Sequence, residues 1–323
     1  MSTGVYTVYT PARHPPPPLL GIVGPTASGK SDLALGLARS LPVEILVADS
    51  RQVYRGMDVG TAKPDVAARD AVPHHLLDLA DPDEPVTVAQ WVSAARALLP
   101  DIAARGRLPM LVGGTGLYVS ALVDGHDYES QAWSPEIRAQ LAARLDAEGL
   151  EALAAELAAR DPDGAAVIDL RNPRRVLRAL ERSLAGGGSV APRATPYPGR
   201  VALLGISRPR DVLYRRIDER ARRLFATDGL LDEVAALLAR GFGPDLRPMT
   251  GHGYREAARH LAGEWSLEEA IAVTARRTRQ YAKRQLTWFR RDARILWLQA
   301  GDRPADDPRL VVEAARVLRA AIS

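Results

Sequence analysis

The residues that most constrain the chemistry of this chain are Gly24-Pro25-Thr26-Ala27-Ser28-Gly29-Lys30-Ser31. The spacing G-x-x-x-x-G-K-[ST] lets backbone N–H groups curl round an anion at the start of a helix, whose N-terminus adds partial positive charge. The segment therefore reads as a cradle for a di- or triphosphate, with Lys30 neutralising phosphate and Ser31 able to hold Mg2+. The bland alternative is a Gly-rich turn carrying a surface lysine. An apolar run before it, Leu19-Leu20-Gly21-Ile22-Val23, and a helical stretch from about Gly29 to Ser40 favour the cradle. The pattern does not say what the phosphate is attached to.

A second apolar run, Glu44-Ile45-Leu46-Val47-Ala48, stops at Asp49. In an ordinary P-loop kinase or ATPase, an acid at the end of a neighbouring strand assists Mg2+. Here the acid opens Asp49-Ser50-Arg51-Gln52-Val53-Tyr54, a polar segment suited to touching a second substrate. Gly60-Thr61-Ala62-Lys63-Pro64 follows, and Gly113-Gly114-Thr115-Gly116-Leu117-Tyr118 closes a later apolar run. Loops at the carboxyl ends of strands in an open α/β sheet line its ligand crevice, so three of them predict a pocket.

Of 43 basic residues only Lys30, Lys63 and Lys283 are lysines. Arginine abundance is therefore a compositional habit, and each lysine marks a place where a compact ammonium replaces it. Lys283 lies in 276–294, a stretch with eight basic residues and one acid, Asp292. On a helix, Arg276, Lys283 and Arg290 form one row and Arg277, Arg284 and Arg291 the next, with Arg279 on the same broad face. Ile271, Ala275, Thr278, Ala282, Leu286 and Phe289 fall opposite. A solvated charged face is the bland reading. Against it, acidic partners are nearly absent along the helix, and Gln280, Tyr281, Gln285 and Trp288 interleave groups that can hydrogen-bond to or stack on bases. Arg171, Arg174, Arg175, Arg178 and Arg182 form a second cluster. Two basic surfaces suit a folded RNA.

Strands that read as continuous apolar runs, alternating with helices, predict a parallel sheet covered on both faces. Besides the two runs above, His75-Leu76-Leu77-Asp78 is a weaker strand, and Pro109–Val112, Arg200–Ile206 and Arg294–Leu298 are further strands. Helices are expected over Trp91–Arg105, to about Arg291 after the Arg200 strand, and over 308–321. Segments 134–148, 150–160 and 172–185 are Ala/Leu/Arg/Glu-rich with no strand between them. The expected architecture is α/β, a P-loop NTPase-like parallel sheet flanked by helices (19–132 and 199–323), with an all-helical insertion at 133–198 and a Pro-rich flexible tail at 1–18.

The 323-residue chain has 46% hydrophobic residues, a net charge of +4 and no cysteine. Disulfides, thiolate metal sites and cysteine nucleophiles are thereby excluded. No window resembles a membrane span, the N-terminus shows no secretory h-region, and a cytoplasmic monomer is expected. The six histidines show no metal-ligand spacing; His74 and His75 read as structural contacts.

Six ordered motifs carry a family resemblance. They are the Gly24–Ser31 cradle, Asp49-Ser50-x-Gln52-Val53-Tyr54, Gly60–Pro64, His74-x-Leu76-Leu77-Asp78, Gly113–Tyr118 and Arg279-Gln280-x-x-Lys283-Arg284-Gln285-x-x-Trp288. From about residue 19 to 300 the chain strongly resembles the tRNA dimethylallyltransferases, also called isopentenyl-tRNA transferases. The resemblance implies transfer of a dimethylallyl group from dimethylallyl diphosphate to N6 of the adenine immediately 3′ of the anticodon, with Mg2+ as cofactor. It makes Asp49 the general base, puts Thr26 at the diphosphate oxygens and Arg220 on the pyrophosphate, and adds Thr115 and Arg138 as residues affecting activity. Lys63 joins Gly24, Pro25, Thr26, Ala27, Ser28, Gly29, Lys30 and Ser31 as diphosphate-binding. Contacts to the tRNA anticodon stem-loop are implied for Ser50, Arg51, Gln52, Arg174, Arg175, Arg178, Tyr254, Arg255, Lys283, Arg284, Gln285, Trp288 and Arg290. The insertion departs from the family pattern at Leu170–Arg175 and at Gly186-Gly187-Gly188-Ser189, and Trp91 stands where Phe is common.

Two other functions compete. A P-loop kinase of a small molecule would place ATP in the cradle and Asp49 on Mg2+, and a nucleotide-regulated RNA-binding protein would leave Asp49 and Arg220 without work.

Overall fold

A computed structural model describes residues 16–125, 134–186 and 194–322. In chain order the elements are β1 (Leu19–Val23), α1 (Lys30–Ala38), β2 (Val43–Ala48), α2 (Val66–Ala71), β3 (His74–His75), α3 (Val88–Ala104), β4 (Leu108–Gly113), α4 (Gly116–Asp124), α5 (Pro135–Arg160), α6 (Pro162–Val167), α7 (Pro173–Leu184), β5 (Val201–Ser207), α8 (Arg210–Ala226), α9 (Leu230–Ala239), α10 (Tyr254–Leu261), α11 (Leu267–Phe289), β6 (Ile295–Gln299) and α12 (Pro308–Ile322). The strands form one six-stranded sheet in the order β3-β2-β4-β1-β5-β6, and every neighbouring pair is parallel.

Sequence accounts for the central strands. β1 and β2 are buried at every position, as strands covered on both faces must be. One sheet face packs Leu20, Ile22, Ile45, Met110 and Leu204 against Leu33 and Leu37 of α1 and Leu310 and Leu318 of α12. The acid in the β2 run, Glu44, is buried and paired: it accepts from Arg105 Nε at 2.8 Å and Nη2 at 2.7 Å and meets His75 Nε2 at 2.7 Å. Capping fixes α3, where Thr87 and Gln90 bond reciprocally. α7 begins at an Asn172 cap with Pro173 in its first turn.

The chain divides into two compact units, one of Met1–Val123 with Tyr197–Ser323 and one of Asp124–Pro196. The second has its own core of Leu141, Leu153, Leu157, Val176, Ala179 and Leu180. Its boundary falls at Asp124 rather than 133, at the end of α4. Gly149, at φ 81°, breaks α5 between the two helical segments expected there, and α6 was not expected.

Two expectations need correction. The strand at His75–Asp78 is only His74–His75, because Leu76 and Asp78 take positive φ (69° and 55°) and turn the chain off the sheet edge. The end of the Pro-rich tail is tied down, since the Tyr197 hydroxyl donates to Pro17 O at 2.6 Å and residues 16–18 lead half-buried into β1. Residues 1–15 of that tail, and Gly187–Ser189 of the Gly-rich loop, lie outside the described residues. No described helix is long and apolar enough to cross a membrane.

Candidate active site

Strand register builds the site. Val23 and Ala48 each lie level with Gly113, so the chain leaves β1, β2 and β4 at a common height, while β5 continues two residues past Gly205, the partner of Val23. Parallel neighbours are about 4.8 Å apart, which sets Asp49 roughly 10 Å from the mouth of the cradle with the Gly113-Gly114 turn between them. Gly113 is obligatory at that point: a Cβ there would lie 2.0 Å from Ala48 O.

In the cradle, Gly24 (φ 140°), Ala27 (62°) and Gly29 (94°) take positive φ, the curl that turns N–H groups inward. Lys30 folds back so that Nζ donates to Pro25 O at 2.8 Å. Burial pushes its pKa down to about 8; the Asp49 carboxylate opposes that fall and Arg220 adds to it. Arg220 is itself lowered by burial and held up by Asp49. Lys30, Arg220 and Asp49 thus share one electrostatic neighbourhood, two cations facing one carboxylate. Arg220 reaches it from α8 and also donates to Gly60 O at 3.4 Å. Ser28 Oγ is buried with no hydrogen-bond partner among the described residues. Ser31 is exposed on the first turn of α1.

Asp49 is held by its own turn, Oδ1 accepting from Arg51 N at 2.9 Å. Thr115 Oγ1 accepts from Ser50 N at 3.0 Å, which joins the loops after β2 and β4. Tyr118 and Tyr281 have hydroxyl pKa values raised first by burial, with the Asp49 carboxylate adding to each rise. Tyr118 stacks on Trp91 at 4.5 Å between centroids, and Trp91 Nε1 donates to Val47 O at 3.2 Å, so an aromatic wall backs the end of β2.

Three residues expected to touch ligands are engaged by other protein groups. Lys63, expected to bind diphosphate, has a buried ammonium whose three donors go to Tyr54 O at 2.7 Å, Asp78 Oδ1 at 2.7 Å and the Asp58 carboxylate. Tyr254, expected to touch RNA, is 2% exposed, and its hydroxyl donates to Glu233 Oε1 at 2.5 Å. Gln285, 6% exposed, turns inward: Oε1 accepts from Thr26 N and Nε2 donates to Gly114 O, both at 2.8 Å.

The basic face of α11 is more balanced than its sequence implies. Arg277 pairs with buried Glu256 of α10 and Arg279 with Asp218 of α8, acids the helix itself does not supply. Arg276, Lys283, Arg284, Arg290 and Arg291 remain exposed and make no ion pair among the described residues. Gln280, Lys283, Arg284, Thr287, Trp288 and Arg291 line an open groove of about 420 Å3, and Trp288 is 41% exposed beside it. Arg255 is exposed on α10, whereas Arg51 donates to Arg247 O and Gln52 Nε2 to Thr61 O at 3.0 Å. In the helical unit, Arg174, Arg175 and Arg178 share an exposed edge of α7, and Arg138 grips Glu181 at 2.8 Å.

Sequence reading missed Glu233, whose carboxylate accepts from Asp58 N, Val59 N and Gly60 N at 2.7, 2.7 and 3.2 Å and so shapes the loop under Arg220. It sits among ordinary α9 residues with no motif to mark it. The stripe Tyr281, Gln285, Trp288 is visible at helical spacing, but spacing alone does not show that Gln285 and Trp288 also pack on the loop after β4.

Comparison with known proteins gives this geometry a family. The IPP transferase model matches residues 52–292 and the isopentenyl transferase model residues 18–73. A tRNA dimethylallyltransferase of Roseiflexus castenholzii is 47% identical over 304 residues, covering 94% of this chain and 97% of the relative. One from Geobacter metallireducens is 47% identical over 286 residues, with 87% and 92% covered. Among solved structures, the tRNA isopentenylpyrophosphate transferase of Bacillus halodurans superposes with a TM-score of 0.71 at 40% identity, covering 94% of this chain and 96% of that one. A eukaryotic dimethylallyltransferase caught acting on tRNA superposes at 0.75 with 25% identity, covering 88% and 74%. These relatives are tRNA-modifying transferases, which sets the kinase reading aside. The chain therefore belongs to the IPP transferase family, the family of the tRNA dimethylallyltransferases.

Proposed function

We propose that this enzyme transfers a dimethylallyl group from dimethylallyl diphosphate to N6 of the adenine immediately 3′ of the anticodon in tRNA. The observation that carries the reading is the pairing of a phosphate cradle with a carboxylate, Asp49, set off by the width of two strands and facing Lys30 and Arg220. The diphosphate occupies the Gly24–Ser31 loop, where N–H groups, Lys30 and Arg220 stabilise the charge that grows on the departing oxygen. Adenine N6 is a poor nucleophile because its lone pair is delocalised into the ring. Asp49 accepts the N6 proton as the C–N bond forms, while the C–O bond breaks and its electron pair leaves with the diphosphate. Thr26 and Thr115 act at the rim of the cradle and beside Ser50. To reach Asp49 the adenine must leave the anticodon-loop stack, which implies a flip.

Mg2+ fits the donors present. Ser31 offers one hydroxyl at the cradle, and no cluster of three acids or histidines stands ready among the described residues. A magnesium ion suits such a place because it takes its remaining ligands from diphosphate oxygens and water. When bound it supplies charge neutralisation of the leaving group. The exposed cations of α11 and the Arg174, Arg175 and Arg178 edge of α7 are assigned to RNA phosphates. Catalysis by a cytoplasmic monomer completes the reading.

The test is incubation with dimethylallyl diphosphate, Mg2+ and a tRNA bearing adenine at the target position. The tRNA mass should rise by one five-carbon unit. ATP consumption with no change in RNA mass would refute the proposal.

A further inference from the structure

The motif around Lys283 and the motif around Thr115 touch along one stripe of α11. Tyr281, Gln285 and Trp288 lie at i, i+4 and i+7, on one face of the helix. They meet Thr115, Gly114 and Gly116 in turn. Tyr281 lies beside Thr115. A Cβ on Gly114 would lie 2.2 Å from Gln285 Nε2, and one on Gly116 would lie 2.2 Å from the Trp288 ring. The helix is thus seated on the loop after β4 at two positions where only glycine leaves room.

Gln285 alone goes one step further, to the phosphate cradle. Its amide orientation is dictated by chemistry: Thr26 N can only donate and Gly114 O can only accept, so the reversed amide would oppose like groups at both ends. The side chain is buried, so neither bond is exchanged for one to water. Meanwhile its chain neighbours Lys283 and Arg284 are exposed on the open groove. The same turn of helix therefore faces solvent cations one way and the cradle the other.

We infer that Gln285 is a positioning residue that fixes the Thr26 end of the phosphate cradle and transmits occupancy of the outer face of α11 to it. The inference rests on the proposed function, with diphosphate in the cradle and RNA on α11. RNA bound on the groove restrains the helix, and the Gln285 amide then holds the cradle in the arrangement the diphosphate requires. Coupling of this kind is reciprocal, so pyrophosphate must tighten RNA binding by the same factor.

Gln285→Met keeps the volume and loses both hydrogen bonds. Pyrophosphate affinity is measured for it and for the unaltered enzyme, with and without a saturating tRNA anticodon stem-loop, and stem-loop affinity is measured with and without pyrophosphate. In the unaltered enzyme each ligand should tighten the other by at least threefold. In Gln285→Met pyrophosphate should bind about tenfold more weakly, the coupling factor should fall to one, and stem-loop affinity without pyrophosphate should stay within twofold. Pyrophosphate affinity within twofold of the unaltered value, or coupling of full size in the variant, would overturn the inference. A direct loss of stem-loop affinity would instead make Gln285 an RNA contact and overturn it too. Lys283→Ala is the control for folding and helix placement: it should weaken stem-loop binding and leave pyrophosphate binding without RNA unchanged. Were the unaltered enzyme to bind no pyrophosphate at all, the proposed function would fail first, a result distinct from these.

Discussion

At the scale of single residues the decisive feature is that the Asp49 carboxylate acts on two buried cations, Lys30 and Arg220. Lys30 titrates near 8 because burial outweighs the attraction of Asp49. Below that pH it is an ammonium and neutralises diphosphate; above it the charge is lost. We therefore expect kcat/KM for the prenyl diphosphate to fall as pH rises through about 8, since kcat/KM reports the free enzyme. Asp49 is what holds the Lys30 pKa up, so Asp49→Asn should move this alkaline limb to lower pH. A pH profile whose alkaline limb is the same in enzyme and variant would contradict the electrostatic link. Lys63 teaches the opposite lesson. Its rarity in an arginine-rich chain was informative, but about structure: three oxygens close round a compact ammonium where a guanidinium would not fit.

At the scale of elements, β2 delivers Asp49 at one end and is anchored near the other by Glu44. Glu44, 2% exposed, is held at a pKa of about 2, chiefly by its hydrogen bonds from Arg105 and also by His75. A carboxylate lowered on folding stabilises the protein above its ordinary pKa of 4.5, and that contribution fades as pH falls toward 2. Glu44→Gln should cost about 3 kcal/mol at pH 7, with the gap in urea-melt stability closing at low pH; an equal gap at pH 7 and pH 3 would contradict it. The α11 helix shows how far element-scale reading goes from sequence. Its apolar side was legible at 3.6 periodicity, and Ala275, Ala282 and Phe289 are indeed buried. Periodicity is blind to neighbours in space, however. It could not show that Glu256 and Asp218 would neutralise Arg277 and Arg279, or that Gln285 would point into the protein. Five cations remain exposed on or just beyond this helix, and replacing Lys283 and Arg284 with alanine should weaken tRNA binding and flatten its logarithmic salt dependence by roughly one to two. An unchanged slope would make this face merely solvated.

At the scale of the whole molecule, the parallel sheet and its crevice could be read from apolar runs that end in Gly24, Asp49 and Gly114, since strands buried on both faces leave no other pattern. The helical unit was legible as a change of texture, although its boundary lay in α4, whose apolar residues read as continuous with the sheet that precedes them. The edge strand was overextended because left-handed backbone at Leu76 and Asp78 has no glycine to announce it. The register of β1, β4 and β2 explains why residues 26, 49 and 115 lie along one edge of the sheet: three strands end level, and each delivers one loop.

The central claim is that Asp49 removes the proton from adenine N6 and does not serve to bind either substrate. Asp49→Asn preserves the acceptor for Arg51 N and removes only the basicity. Single-turnover transfer to tRNA should slow by about 100- to 10,000-fold, while tRNA and pyrophosphate affinities stay within a few-fold. Transfer at the unaltered rate, or a loss of affinity that accounts for all of the lost rate, would contradict it.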